Sequence, residues 1–533
     1  MFPRYARGMD LRTLSDTLRR LAFAHELVGS ERRAATYGRA SWPLRQLDGD
    51  LKALIDSGEL LAVRGIGQTV LAVAEAVARG EEPQELSDLE AQIPEGVYRV
   101  GRLKGLGPKK VRALWQELGI TTLGELEYAC QENRLVDLKG FGSKTQDKVL
   151  AAIRQARQWE GLFRRDTVRE AVEVLVGELG EVQPAGDYRR GFELVRQLDV
   201  VVVGAEDHER DVDGLPVRVW GATEATLGTV LVARTGSDAH LAALGDLPSA
   251  ATEEDLYAGL GFHWQPAERR EAGVPLIRTG SSRPRLVRRS DLVGALHNHT
   301  TASDGRNSLE EMRAAAAAVG LRYLGISEHS QESQIAGGLD ADRLVAQVER
   351  IAHLNAQGHP CTLLSGVESD ILRDGELDYP PEILGQLDLV VASVHRRHRQ
   401  DGPAMTARML AAVRNPWTDL VGHPTGRLLL GRAPTDLDVE AMLDACAEVG
   451  CAVELNASPH RLDLNAEHLA WAKERGVPVS IGADAHSVAA LDNLEYGVAI
   501  ARRAGLTVDD VMNAWELPRL RLWLSDRRAA RTA

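Results

Sequence analysis

Leu292-Val-Gly-Ala-Leu-His297-Asn-His299-Thr-Thr-Ala-Ser-Asp304 is a short apolar run that ends in two histidines and then an aspartate. The pattern recurs down the chain. Tyr323-Leu-Gly-Ile-Ser-Glu-His329 ends in histidine, and Leu363-Leu-Ser-Gly-Val-Glu368 in glutamate. Leu389-Val-Val-Ala-Ser-Val-His395 and Leu420-Val-Gly-His423 end in histidine, and Val477-Pro-Val-Ser-Ile481 is followed by Asp484 and His486. The runs have strand length, and helical patterns such as Leu309 to Val319 lie between them, so the spacing predicts a parallel β/α fold. Imidazoles and carboxylates at the C-terminal ends of successive strands converge on one rim of a barrel. Such a rim can hold several divalent metals and activate water. Of the 15 histidines, 11 lie beyond residue 290, so the enrichment is regional. A lone histidine at a strand end is more often a hydrogen-bonded core or surface residue. His353, His359, His398, His460 and His468 are read that way.

With 533 residues and 44% hydrophobic content, the chain can bury several cores. No apolar stretch is long enough for a transmembrane helix. The start, Met1-Phe-Pro-Arg-Tyr-Ala-Arg-Gly8, lacks the apolar stretch of a signal peptide. The four cysteines form no CxxC pair, which fits a reducing cytosol and excludes a cysteine zinc site. A net charge of -14 argues against a surface coated in basic residues. It leaves room for nucleic acid, because contacts can be local and made by backbone amides.

Residues 1 to about 158 read as helical, with Leu11, Leu14, Leu18 and Leu21 at helical spacing. One turn pattern recurs there: Val63-Arg-Gly-Ile-Gly67, Leu103-Lys-Gly-Leu-Gly107 and Leu138-Lys-Gly-Phe-Gly142. Gly65, Gly67, Gly105, Gly107, Gly140 and Gly142 would let the backbone curl tightly and approach a phosphate, with the next helix offering its N–H groups. Lys109, Lys110 and Lys144 add positive charge at two of the helix starts. A single copy would read as a helix cap. Recurrence favours DNA-backbone contact without sequence readout, above all at the second and third copies. Residues 166–180 read as one more helix, followed by short strands at Leu198–Val203, Val217–Trp220 and Val230–Ala233. Gly280-Ser-Ser-Arg-Pro-Arg285 reads as a linker.

The three turns resemble helix-hairpin-helix motifs. In the order of its parts the whole chain resembles a bacterial family X DNA polymerase fused to a PHP (polymerase and histidinol phosphatase) domain. The C-terminal resemblance is dense: Leu296-His-Asn-His-Thr-Thr-Ala-Ser-Asp-Gly305, Ile326-Ser-Glu-His-Ser330, Gly366-Val-Glu368, Ala392-Ser-Val-His395, Gly422-His-Pro-Thr-Gly-Arg427, Arg461-Leu-Asp-Leu464 and Gly482-Ala-Asp-Ala-His-Ser487. It implies a multidomain protein. An α-helical helix-hairpin-helix region would come first (1–90, then a fingers-like 91–158). An α+β palm-like domain (159–240) and a shortened thumb with linker (241–288) would follow. A (β/α)7 PHP barrel (289–533) would close the chain.

The palm resembles the family's with losses. Gly186-Asp-Tyr-Arg-Arg190 stands where the family has Gly-Ser-x-Arg-Arg, so Asp187 replaces a serine that meets the triphosphate. The family's Asp-x-Asp is Gln197 and Asp199, and its third aspartate is Arg218. Alternate strand residues face one way, so the family's two aspartates grip metals jointly. An amide and a guanidinium cannot, and arginine keeps its charge. Thr235-Gly-Ser-Asp-Ala-His240 still resembles the family's Thr-Gly-Ser segment. The lyase lysine of some members is Val73, so no lyase through that residue is expected.

In the PHP part, the resemblance implies up to three divalent metals, Mn²⁺ first with Zn²⁺ or Fe²⁺ as alternatives. His297, His299, Glu368 and Asp484 would surround one metal, and Asp304, His329 and His486 a second. Glu368 would bridge to a third with His395 and His423. Arg427 and Arg461 would hold phosphate, with a salt bridge as the rival reading. Ala295 and Glu328 depart from the aspartates of many members, which would alter the support of the ligands more than metal loading. The expectation is a DNA repair enzyme of the base-excision type in the bacterial cytoplasm, at the nucleoid. It would act as a 3′–5′ exonuclease and abasic-site endonuclease on gapped, nicked or 3′-ended DNA, away from membranes, with a weak or inactive polymerase core. The alternatives are a gap-filling polymerase using deoxynucleotides, a small-molecule phosphatase, and a DNA-end scaffold.

Overall fold

The computed structural model describes residues 11–47, 49–132, 134–135, 138, 140–396 and 400–532. The segment Met1–Gly8, Lys139 of the third turn and His398 lie outside the described residues. Two compact units divide at Gly161 and Leu162.

The first unit is helical. Its helices include α1 (Leu11–Leu27), α2 (Gln68–Ala78), α3 (Pro108–Leu118) and α4 (Ser143–Trp159). Leu11, Leu14, Leu18 and Leu21 are all buried on one face of α1, as a 3.6-residue period requires. One core runs from Leu11 to Ile153, so both sides of residue 90 pack into it.

In the second unit, α5 (Arg165–Leu179) packs beside a four-stranded sheet. Its strands are β1 (Gln183–Ala185), β2 (Leu198–Val203), β3 (His208–Val212) and β4 (Leu215–Ala222), in the order β1-β2-β4-β3. Only β2 and β4 run parallel, with Asp199 opposite Arg218. The strand expected at Val230–Ala233 is instead part of α6 (Leu227–Thr235). A four-residue apolar run suits either element. Here Gly228, Leu231, Val232 and Thr235 make one buried helical face. Gly228 lies so close to the Thr252–Glu253 backbone that a Cβ would collide with it.

The barrel strands are β5 (Gly294–Ala295), β6 (Tyr323–His329), β7 (Thr362–Asp370), β8 (Leu389–Ser393), β9 (Leu420–Val421), β10 (Ala452–Asn456) and β11 (Val479–Gly482). They pair in parallel in chain order. The ring is drawn together between its first and last strands. His299 N–H donates to Ala485 O at 2.9 Å, and Asn513 Nδ2 donates to Gly294 O and to Ile481 O, each at 2.9 Å.

Alternation along each strand sorts the barrel into layers. Outward residues such as Leu324, Leu363 and Val390 join the core beneath the helices. The other set starts apolar: Tyr323, Leu364, Leu389 and Ala452 pack with Trp515, Leu520 and Leu524 of the C-terminal segment. Two residues on come Gly325, Gly366, Val391 and Glu454. The ligand-type side chains follow at the C-terminal ends. One strand face therefore runs from a sealed apolar floor to a polar rim. Among the described residues no helix is long and apolar enough to cross a membrane.

Candidate active site

The rim gathers all nine histidine and carboxylate residues singled out above. Glu368 is central. Its Oε1 lies 2.8 Å from His423 Nε2, 3.1 Å from His395 Nε2 and 3.4 Å from His297 Nε2. Its Oε2 lies 2.9 Å from His329 Nδ1 and 3.8 Å from His299 Nε2. Asp484 Oδ1 lies 3.3 Å from His299 Nε2 and 3.8 Å from His297 Nε2. Asp304 reaches His486 Nε2 at 3.3 Å and His329 Nε2 at 3.4 Å. Three groups are compact enough to share an ion: His299–Asp304–His329–His486, His297–His299–Asp484, and His329–Glu368–His395.

The fit to metal rests on buried atoms with nothing to bond. His297 Nε2, both ring nitrogens of His299, His329 Nδ1 and Glu368 Oε1 are buried and make no hydrogen bond. Leaving such groups unsatisfied is costly, and a cation among them removes the cost. Mixed nitrogen and oxygen donors suit a divalent ion. Burial disfavours charge on His329 and His395, yet Glu368, with Asp304 and Asp370 respectively, outweighs it. Their imidazoles are raised to about 10 and about 9. His299 falls to about 3, through burial and then the charges of His486 and His329. Carboxylates that pull protons onto imidazoles also pull metal cations. Asp304 and His486 are the most exposed of the nine, so the site opens on their side.

Residues behind the rim were missed in the sequence. His297 Nδ1 lies 2.7 Å from Glu454 Oε1, and His423 N–H donates to Glu454 Oε2 at 2.7 Å. His395 Nδ1 lies 3.1 Å from Asp370 Oδ1, and Asn456 Nδ2 donates to Asp484 Oδ2 at 2.9 Å. A signal existed: Glu454 is a lone carboxylate inside Ala452-Val-Glu-Leu-Asn456, and Asp370 shares a strand face with Glu368. Glu328 is fully buried and accepts from Thr300 N–H at 3.1 Å, from Gln347 Nε2 at 3.3 Å, and from the Thr300 and Ser303 hydroxyls. It thereby holds the loop that carries His299 and Asp304. Ala295 is buried in β5.

The two arginines differ. Arg427 donates from Nε to Arg461 O at 2.9 Å and from Nη2 to Leu462 O, and pairs with Glu193 at 3.0 Å. Arg461 Nε lies 3.7 Å from Asp484 Oδ2, and its buried Nη1 has no hydrogen-bond partner. His353, His359, His460 and His468 join none of the metal-compatible groups.

In the palm-like sheet, Asp199 is occupied. Both its oxygens accept from Gln197 Nε2 at 3.1 Å, and Oδ1 accepts from Trp220 Nε1 at 2.9 Å. Arg218 turns to Glu209 at 2.8 Å. Asp187 pairs with Arg190, which lies 3.2 Å from Glu271. Arg189 forks onto Glu253 with two bonds of 2.8 Å.

The three glycine turns share one geometry. The first glycine has positive φ in each: Gly65 at 98°, Gly105 at 92° and Gly140 at 89°. Ile66, Leu106 and Phe141 are buried. Gly67, Gly107 and Gly142 sit at the N-termini of α2, α3 and α4 without a side-chain cap. Lys109 is 73% exposed, and Lys110 lies over the Phe141 ring at 5.4 Å. Val73 is buried in the core.

Residues 99–155, which hold the second and third turns, match the family described as the SAM-like helix-hairpin-helix tandem. A Bacillus subtilis protein named DNA polymerase/3′-5′ exonuclease PolX is 31% identical over 94% of this chain and 96% of its own length. A probable phosphatase of Thermoanaerobacter sp. is 31% identical over 31% of this chain and 69% of its own. Another, from Caldanaerobacter subterraneus, is 27% identical over 44% of this chain and 92% of its own. With helical hairpins, a polymerase-like sheet and a seven-stranded parallel barrel in one order, and a relative matched nearly end to end, the chain belongs to the PolX family of bacterial family X polymerases joined to a PHP domain.

Proposed function

We propose that this chain is a divalent-metal-dependent DNA phosphoesterase that removes nucleotides from 3′ ends and cuts at abasic sites, with a palm weak or silent in synthesis. The convergence of the nine side chains on one rim carries this reading. His297, His299, Glu368 and Asp484 would hold one ion, Asp304, His329 and His486 a second, and Glu368, His395 and His423 a third, with Mn²⁺ preferred over Zn²⁺ or Fe²⁺. Divalent ions supply Lewis-acid polarisation of a phosphoryl oxygen and lower the pKa of water. The protein's part is orientation. Glu454 and Asp370 aim His297 and His395, Glu328 fixes the His299–Asp304 loop, and Arg461 meets a non-bridging oxygen entering past Asp304 and His486.

The glycine turns at Gly65–Gly67, Gly105–Gly107 and Gly140–Gly142, with Lys109, Lys110 and Lys144, would hold the backbone of gapped or nicked DNA. The functional parts would be residues 1–90, 91–158, 159–240, 241–288 and 289–533. The DNA substrate and four buried cysteines that form no CxxC pair suit the bacterial cytoplasm. Gap filling from deoxynucleotides is the second reading, favoured by the retained Asp199 and by the name of the Bacillus relative. The bonds from Gln197 and Trp220 to that aspartate count against it.

The test is His299→Ala, which is expected to abolish 3′-end cleavage and leave DNA binding intact. Cleavage by the variant at the rate of the unaltered chain would overturn the ligand assignment.

A further inference from the structure

We propose that Glu193, a residue of the palm-like part, is a positioning residue for chemistry at the barrel rim. This rests on the phosphoesterase reading and deepens it.

Glu193 lies in the turn just before the short strand Leu194–Val195, which pairs antiparallel with Phe163–Arg164. The pairing fixes the backbone next to it. Glu193 Oε2 meets Arg427 Nη1 at 3.0 Å, with both side chains mostly buried. Arg427 passes that placement on. Its Nε donates to Arg461 O at 2.9 Å and its Nη2 to Leu462 O. Leu462 has φ +46°, a conformation a leucine holds only where its surroundings impose it. The loop is tied from its other side by Asp463, which accepts from Thr425 N–H at 3.1 Å and Thr425 Oγ1 at 2.9 Å.

What the loop carries is Arg461. Its Nε stands 3.7 Å from Asp484 Oδ2, and its Nη1 is buried without a hydrogen-bond partner. A buried donor beside a rim carboxylate suits a phosphate oxygen of the substrate. Three residues therefore lead from the palm to the rim: Glu193 holds Arg427, and Arg427 holds the backbone of Arg461. A palm that has lost two of three family carboxylates still serves the second activity in this way.

The test uses the full chain with Mn²⁺ and a labelled oligonucleotide trimmed from its 3′ end. Glu193→Gln is expected to raise KM on the order of tenfold, the weakening of one charge-assisted contact made alike in ground and transition state, with kcat little changed. Glu193→Asp is expected to recover much of the loss. Arg461→Ala should raise KM further, and the Glu193→Gln, Arg461→Ala double variant should be no worse than Arg461→Ala alone. Arg427→Lys replaces the planar fork that meets both carbonyls by a single ammonium, so it should raise KM as Glu193→Gln does and serves as the test where Glu193→Gln folds poorly. An unchanged KM in Glu193→Gln or Arg427→Lys, or additive losses in the double variant, would overturn the inference while the phosphoesterase reading stood. Absence of cleavage by the unaltered chain would overturn that reading itself.

Discussion

His297 Nδ1 donates to Glu454 Oε1 across 2.7 Å inside a fully buried barrel, and so its Nε2 faces Glu368 and Asp484. Glu454 lies tight against Gly482. A Cβ on Gly482 would stand only 1.9 Å from its Oε1, so glycine at that position is what lets the carboxylate lie there. A buried carboxylate behind a ligating imidazole fixes its tautomer and raises its basicity.

Glu454→Gln is therefore expected to weaken metal binding about 10- to 100-fold while the fold persists. Titration of Mn²⁺ by calorimetry, beside a circular dichroism spectrum, measures both. Unchanged affinity would leave Glu454 a packing residue.

The proposed weakness of the palm in synthesis predicts a gain on repair. Asp199 and Arg218 are register partners on β2 and β4, and Gln197 already bonds to Asp199. Gln197→Asp with Arg218→Asp restores three carboxylates, and primer extension with Mg²⁺ is expected to rise above that of the unaltered chain. No rise would mean that Trp220, bonded to Asp199, or the Asp187–Arg190 pair blocks the site as well.

The hairpins predict an electrostatic signature. Lys109→Ala and Lys144→Ala should weaken DNA binding evenly across sequences, each lowering the slope of log K against log salt by about 1. Gly105→Ala forces a side chain into positive φ, at a cost of about 1–2 kcal/mol. Fluorescence anisotropy across a salt series reads the first effect, and thermal melting the second.

A pH window belongs to the cluster around His240, Glu253, Tyr257 and Arg270. His240 is buried against the Tyr257 hydroxyl at 2.7 Å, and burial, then the Arg270 charge, lowers it from 6.5 to about 4. Its folded value lies below the unfolded one, so the unfolded chain binds the extra proton. Its contribution is complete above pH 6.5 and shrinks as pH falls toward about 4, a loss of up to about 3 kcal/mol. Glu253 acts lower. Burial raises it, but Arg270 and Arg189 outweigh this and hold it at about 2, so its share fades as pH falls from its ordinary value through about 2. Melting curves from pH 7 to pH 4 should show a decline that His240→Gln makes shallower.

The sequence was most legible where one physical demand dominates. Strands of a parallel barrel are buried on both faces, so Tyr323–His329 and Leu389–Ser393 appear as apolar runs, and functional side chains sit at their C-terminal ends. The glycine turns were legible because φ near +90° excludes most other residues. Val230–Ala233 misled because four apolar residues carry no period; only tertiary packing at Gly228 selects the helix. Glu454, Asp370 and Asn456 were hidden because their role depends on which strand lies opposite. The tie of Arg427 to Glu193 spans parts of the chain far apart in sequence, and no local pattern announces it.

The most direct measurement incubates the chain with Mn²⁺, all four deoxynucleotides and a 5′-labelled primer on gapped DNA. A shortened primer is the predicted result: a nuclease that carries a disarmed polymerase. An extended primer would contradict it, because Asp199 would then have to leave Gln197 and Trp220 and take up metal.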